Sequence, residues 1–415
     1  MTHSLIVLPM PRVYIRVFIG LFLLAALIAG ASYLLLVRSY ELASPDEILD
    51  AQFTTNGLYG PASANADMSY KMHMYARVKP DVASFGSSRA MRFRETFFEN
   101  SFVNMGGFFG DPKSALQIVE RLLEDHKPKL FILTIDPWWF TPAENIRNFA
   151  GRLRTTSPPV QPVAFPAAAP RPDRLPNLFL PLRWLMEGKV TLSDYWPLLM
   201  RRGRVGEWFP SRLGVLSYKS MSGFAKDGSS YHDAGAVFGF SPAEDRAFGK
   251  TFELVDRQRS GFECGDHIEP AQWNAYVQLM AYLRTNNVPT VTIMPPLAGA
   301  VIDRMARKPD CYQFIEELRS RLGNLGIPYY DFFDMRAQGV TDCEFLDGYH
   351  PGDVVYARML QILAQSGEPS VEAVIRRDVL DRVVEQYAGH AMITDGAPPS
   401  YKEVDFLALG NCATK

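Results

Sequence analysis

The hydrophobic pattern divides the chain into zones. Val17 to Val37 runs without a charged residue and is long enough to cross a bilayer as a helix. From Lys79-Pro80 to about residue 140, and again from Pro270 to about 365, short apolar runs alternate with stretches of helical period. Val82-Ala83-Ser84-Phe85 predicts a first buried strand running into the turn Gly86-Ser87-Ser88-Arg89, with a helix from Ala90 to about Asn100. Phe102-Val103-Asn104-Met105 predicts a second strand, closed by Gly106-Gly107. Asp111 followed by Pro112 starts a helix that carries Leu116, Val119, Leu122 and Leu123 on one face and stops at Lys127-Pro128. Leu130 to Ile135 is almost wholly apolar, as in a parallel strand covered on both faces.

Regular pattern resumes at Pro270. Trp273, Tyr276, Val277, Met280 and Leu283 define a helix, and Val288 to Met294 a fourth strand. A helix from about Ala300 to Leu322, interrupted near Pro309, leads to a fifth strand at Ile327 to Phe333. A loop and a helix from near Pro351 (Val354, Ala357, Met359, Leu360, Leu363) complete the series. Strands alternating with helices predict an α/β three-layer sandwich around a five-stranded parallel sheet.

The remaining zones have other characters. Residues 38–78 read as a linker between the apolar run and the domain at 79–365. Residues 141–265 lack a hydrophobic period and read as an insertion after the third strand, with helices near Leu182–Gly188 and Leu192–Arg202, a Pro/Ala-rich stretch at Ser157–Pro181 and a loop over Phe224–Phe240. Loops at that end of a sheet are where α/β proteins build binding sites. Residues 366–415 add an amphipathic helix (Val371 to Tyr387) and a loose tail.

Charge and composition narrow the classes. A net charge of -2 and the lack of a long basic run argue against nucleic-acid binding. Arg12 and Arg16 precede the apolar run, so the positive-inside rule places residues 1–16 in the cytoplasm and the rest outside. Ala29-Gly30-Ala31 has the look of a peptidase site, yet Tyr33 to Val37 extends the run beyond it, which favours an uncleaved single-pass anchor in the inner membrane with a periplasmic domain. Cys264, Cys311, Cys343 and Cys412 then face an oxidising compartment; they allow three pairings, or stand as buried thiols, and a bridge from Cys343 would brace the loop after it. Cys264-Gly265-Asp266-His267 lacks a second half for a metal, and no cofactor is expected.

Two motifs carry candidate chemistry. A serine at a strand-to-helix turn suits a nucleophile and equally suits a helix cap. Asp347-Gly348-Tyr349-His350 supplies a base and, three residues before it, a carboxylate to orient its ring; the same run suits a surface turn before a helix. The positive end of that helix would modestly disfavour the imidazolium.

Gly86-Ser87-Ser88-Arg89 with Asp347-x-x-His350 resembles the SGNH, or GDSL-like, hydrolase superfamily over about residues 80–140 and 270–365. With its membrane anchor the chain is similar to the extracytoplasmic branch of DltD-like and alginate O-acetylation proteins, although Ser87 stands where Asp is usual. The resemblance implies Ser88 as nucleophile, His350 as base and Asp347 as its orienter. It implies an oxyanion hole from the N–H groups of Ser88 and of Gly106 or Gly107. Asp136 falls where the family carries an Asn donor, so it has another task, such as holding a substrate hydroxyl or Arg89, or the hole has two donors. Arg89, Asn104, Asp136, Trp138 and Trp139 are candidate substrate contacts, the tryptophans equally a wedge for the insertion. The implied function is acyl transfer to, or deacylation of, an envelope glycan beside a membrane-bound O-acyltransferase. The competing expectation is a non-catalytic scaffold or glycan-binding partner of such a complex.

Overall fold

The computed structural model describes residues 10–62, 68–107, 110–141, 179–188, 190–200, 208–232 and 234–412. Five parallel strands form the central sheet: β1 (Val82–Gly86), β2 (Phe102–Gly106), β3 (Leu130–Thr134), β4 (Thr290–Met294) and β5 (Tyr329–Asp331), in the order β2-β1-β3-β4-β5. β1, β2 and β3 are buried at every position, so the sheet is covered on both faces, as their near-continuous apolar runs require. The order reverses at β1, which pairs with β2 on one side and β3 on the other. In open sheets of this kind the crevice outside the carboxyl end of that strand receives ligands.

The helices of eleven residues or more among the described residues are α1 (Met10–Arg38), α2 (Pro45–Thr55), α3 (Met68–Val78), α4 (Pro112–Asp125), α5 (Pro270–Thr285), α6 (Gln313–Gly323), α7 (Asp353–Ala364) and α8 (Arg377–Tyr387). The Asp111 carboxylate caps α4 by accepting from the Ser114 N–H at 2.9 Å, with Pro112 in the first turn. α4 packs against α5, and α7 against α8. α1 is long and apolar enough to cross a membrane: Val13–Arg38 covers 26 residues, about 39 Å at the helical rise.

Several expectations need correction. Residues 38–78 are not a linker: Ile48, Leu49, Tyr70, Met74 and Tyr75 on α2 and α3 belong to the main core. The Ser44–Glu47 capping box and Pro45 are the local signals that start α2. No continuous helix follows Ser88. The chain makes two single turns, Ser88–Ala90 and Glu95–Phe97, because Arg89, Arg92 and Arg94 all point into the protein. The tail helix breaks at residues 373–376 between Pro369–Glu372 and α8. The described part of the insertion packs on the N-terminal segment: Leu58–Tyr59 pairs in parallel with Arg212–Leu213. The Pro/Ala-rich stretch lies largely outside the described residues. The cysteines pair as Cys264–Cys311 and Cys343–Cys412, so Cys264 is no metal thiolate and the tail is tied to the loop that precedes Asp347.

Candidate active site

Gly86 makes the Ser88 turn possible. Its φ is +151°, and a Cβ there would stand 2.6 Å from the Thr134 carbonyl oxygen on β3. The chain therefore leaves the sheet tightly between β2 and β3. Ser87, not Ser88, caps the turn: its Oγ accepts from the Arg89 N–H at 3.1 Å. Ser88 is half-buried, and its hydroxyl is left for other work.

That hydroxyl lies 2.8 Å from His350 Nε2. The other ring nitrogen, Nδ1, lies 2.8 Å from Asp347 Oδ2 and 3.1 Å from Oδ1. Asp347 Oδ1 also accepts the N–H groups of Tyr349 at 2.7 Å and His350 at 2.6 Å, which closes the turn that aims the ring. Burial pushes the Asp347 carboxyl upward. The charge of His350 and these hydrogen bonds outweigh it, so the carboxyl titrates below its usual range. An ionised Asp347 with Nδ1–H leaves Nε2 as acceptor for the Ser88 proton.

The residues around this triad hold the two motifs together. Arg89 is fully buried; it donates to Asp136 Oδ1 at 2.9 Å and to the carbonyls of Pro295 and Pro296 at 2.6 and 2.7 Å. Burial raises the Asp136 carboxyl, with Arg89 and Ser87 opposing. Arg94 and Arg92 reach Asp353, in the first turn of α7 behind His350, at 2.7 and 3.5 Å. Tyr356 on α7 donates to the Arg89 carbonyl. The Ser88 block is thus fastened to the start of α7 by a buried polar layer.

The residues expected to contact substrate are buried. Arg89, Asn104, Asp136 and Trp139 have no exposed surface and Trp138 is nearly as enclosed. Asn104 uses its side chain internally, donating to the carbonyls of Ala90 and Phe93 and accepting from the Gly106 N–H at 2.9 Å. Trp138 stacks on Tyr349, ring centroids 5.0 Å apart, with the Arg89 guanidinium over both rings. The tryptophan cluster is a wedge.

Of the expected oxyanion donors, the two glycines point their N–H groups into the protein. The Gly106 N–H is held by Asn104, and the Gly107 N–H donates to the carbonyls of Gly86 and Ser87 at 3.0 and 2.9 Å. The Ser88 N–H has no acceptor among the described residues. Glycines at strand ends advertise a turn, and the hydrogen bonds that fill it are invisible in the sequence.

Three further residues border the site without a signal of their own. His232 of the insertion lies beside the Ser88 block: Ser230 N–H donates to the Met91 carbonyl at 2.8 Å, and Arg92 donates to the His232 carbonyl at 2.5 Å. Its Nδ1 meets Ser222 Oγ at 2.8 Å. Burial and the charges of Arg92, Lys71 and His350 lower the His232 imidazole to about 4, so it stays neutral. Lys71 on α3 is buried, donates to the Gly106 carbonyl at 2.7 Å, and is lowered by burial to about 7 against the pull of Asp227. Asp245 accepts from the Gly348 N–H at 3.0 Å and from Thr251, so the insertion also braces the Asp347 turn.

Compared with known proteins, the chain matches no family model. No curated protein matches it either. Among the described residues, no group of His, Cys, Asp and Glu is arranged to hold a metal.

Proposed function

We propose that this chain is a membrane-anchored, serine-dependent acyl-transfer or deacylating enzyme acting on an envelope glycan outside the cytoplasm. The observation that carries the reading is the unbroken series Ser88 Oγ, His350 Nε2 and Nδ1, and Asp347, with contacts of 2.8 Å at both joints. Motif residues far apart in the chain meet in hydrogen-bond order at the switch point of the sheet, where a surface turn and a helix cap had no reason to do so. The SGNH-like resemblance and the DltD-like setting stand as part of this proposal, as does a membrane-bound O-acyltransferase as partner.

In the reaction, His350 Nε2 takes the Ser88 proton while Oγ bonds to the acyl carbonyl carbon. Collapse expels the donor alcohol or thiol, which leaves with the proton from Nε2, and an acyl-Ser88 ester remains. A glycan hydroxyl, or water, then gives its proton to Nε2 and attacks the ester. Ser88 recovers the proton as the product leaves. Asp347 keeps Nδ1 as the donor side of the ring throughout. The Ser88 N–H is the donor within reach of the developing oxyanion.

A second reading, a non-catalytic scaffold, is favoured by one observation: the N–H groups of Gly106 and Gly107 are engaged inside the protein. A serine-reactive fluorophosphonate probe on the detergent-solubilised full chain separates the two. Labelling of wild type that disappears in Ser88→Ala and in His350→Ala is the expected result. No labelling of a folded wild type would favour the scaffold.

A further inference from the structure

The stretch between residues 179 and 200 is apolar on two faces. It forms two short helices, Leu180–Met186 and Leu192–Met200. One face turns inward: Trp184, Val190 and Leu198 are buried together with Leu35 and Leu36 at the end of α1 and with Val215. The other face turns outward. Met186, Leu192 and Trp196 are 74%, 75% and 63% exposed, with Leu182 and Met200 beside them. Leu182 and Met186 are four residues apart, as are Leu192, Trp196 and Met200, so each helix carries an outward apolar stripe. Exposed apolar patches mark protein or membrane interaction sites.

The position of this patch points to its occupant. It is built on the last turn of α1, whose exposed apolar side chains include Val13, Phe18, Leu24, Tyr33, Leu34 and Val37. That exit is tied to the domain: Gly214 N–H donates to the Ser39 carbonyl at 2.7 Å, and Glu41 Oε1 accepts the N–H groups of Ala62 and Val215 at 2.9 and 2.8 Å. The apolar surface of the span continues onto the two helices, which share a buried cluster with Leu35 and Leu36. Where the span leaves the hydrocarbon, the outward stripes meet the headgroup boundary. A tryptophan there is typical of that layer, and short amphipathic helices lie in its plane. The Arg183–Glu187 pair at 2.6 Å supplies a charged edge.

We infer that the helices Leu180–Met186 and Leu192–Met200 form an interfacial membrane-docking platform, which seats the domain on the lipid surface beside the span. The occupant is the bilayer itself. This rests on reading α1 as a membrane span, and the test separates the two claims. The full chain is reconstituted in phosphatidylcholine–phosphatidylglycerol vesicles, with a nitrobenzoxadiazole probe at one introduced thiol: Leu24→Cys, Leu192→Cys, Trp196→Cys or Glu385→Cys. The native cysteines are paired and do not react. Brominated acyl chains then report contact with lipid. Expected is strong quenching at Leu24→Cys, and quenching at Leu192→Cys and Trp196→Cys at least about twofold above the exposed Glu385→Cys site on α8. Quenching at 192 and 196 no greater than at 385, with 24 still quenched, overturns the platform and leaves the span; the patch then faces water or a protein partner. Absence of quenching at 24 as well overturns both.

Discussion

Two neighbouring turns at the carboxyl end of the sheet resemble each other in sequence and differ in what they offer. The turn after β1, Gly86 to Arg89, and the turn after β2, Gly106 to Gly107, both follow buried strands and both depend on glycine. In the first, Ser87 caps the turn and so releases Ser88 toward His350. In the second, Asn104, Lys71 and the carbonyls of Gly86 and Ser87 engage the polar groups of the turn. The first is presented outward, the second locked inward. A glycine turn at a strand end is therefore a position, and the hydrogen bonds around it decide whether it is a site.

The sharpest way to break this contrast is to remove what the first turn presents. Ser88→Ala is expected to lower ester turnover by roughly 10³-fold or more with circular dichroism unchanged. Retained turnover would place the chemistry elsewhere. Asp347→Asn removes the acceptor for Nδ1–H and favours the wrong tautomer. A drop of about 10³–10⁴-fold in kcat is expected at near-constant KM, measured with a small activated ester.

The next changes act on the buried layer that joins the two motifs. Arg89→Ala leaves Asp136 unpaired in a fully buried setting, at a cost of about 3–5 kcal/mol in unfolding free energy from urea denaturation. A loss within a few tenths of surface substitutions would mean that the pair is not formed. In the second turn, Asn104→Ala strands the carbonyls of Ala90 and Phe93 and uncovers the Gly106 N–H. Stability should fall by about 1–3 kcal/mol. Activity per folded molecule should change less than for Ser88→Ala, because the Gly106 N–H is not an oxyanion donor in this arrangement.

A pH dependence follows from the buried amine of Lys71. Folding lowers the Lys71 ammonium to about 7, from its ordinary value of 10.5. Between these values the unfolded chain binds more protons than the folded one, so unfolding free energy rises with pH. The penalty is complete below pH 7 and relieved toward 10.5. Lys71→Met should flatten this slope between pH 7 and 9. An unchanged slope would show that the amine is not buried on the Gly106 carbonyl.

Much of the core was legible locally. Strand positions, the Asp111 cap of α4 and the parallel character of β1 to β3 follow from apolar runs and punctuation, which are short-range properties. The helix expected after Ser88 was not legible. Its arginines have charge partners 47 and about 260 positions away, and those pull the backbone into single turns. The structure of residues 38–62 and 68–78 is not legible in the sequence, because a polar composition hides buried residues such as Gln52 and Lys71, satisfied by the Phe224 and Gly106 carbonyls.

By itself, then, the sequence determined the apolar helix and the alternation of strands and helices, and marked Ser88, Asp347 and His350 as candidates. The tertiary structure decided the rest. It brought Ser88 and His350 together across 262 positions, committed the Gly106 and Gly107 amides inward, buried Arg89 and Asp136, and carried the apolar surface of α1 onto Leu192 and Trp196. The physical reason is range. Periodicity and turn chemistry act over a few residues and are written in the chain. The satisfaction of buried polar groups is a global condition, which each donor meets with whatever acceptor the fold brings to it.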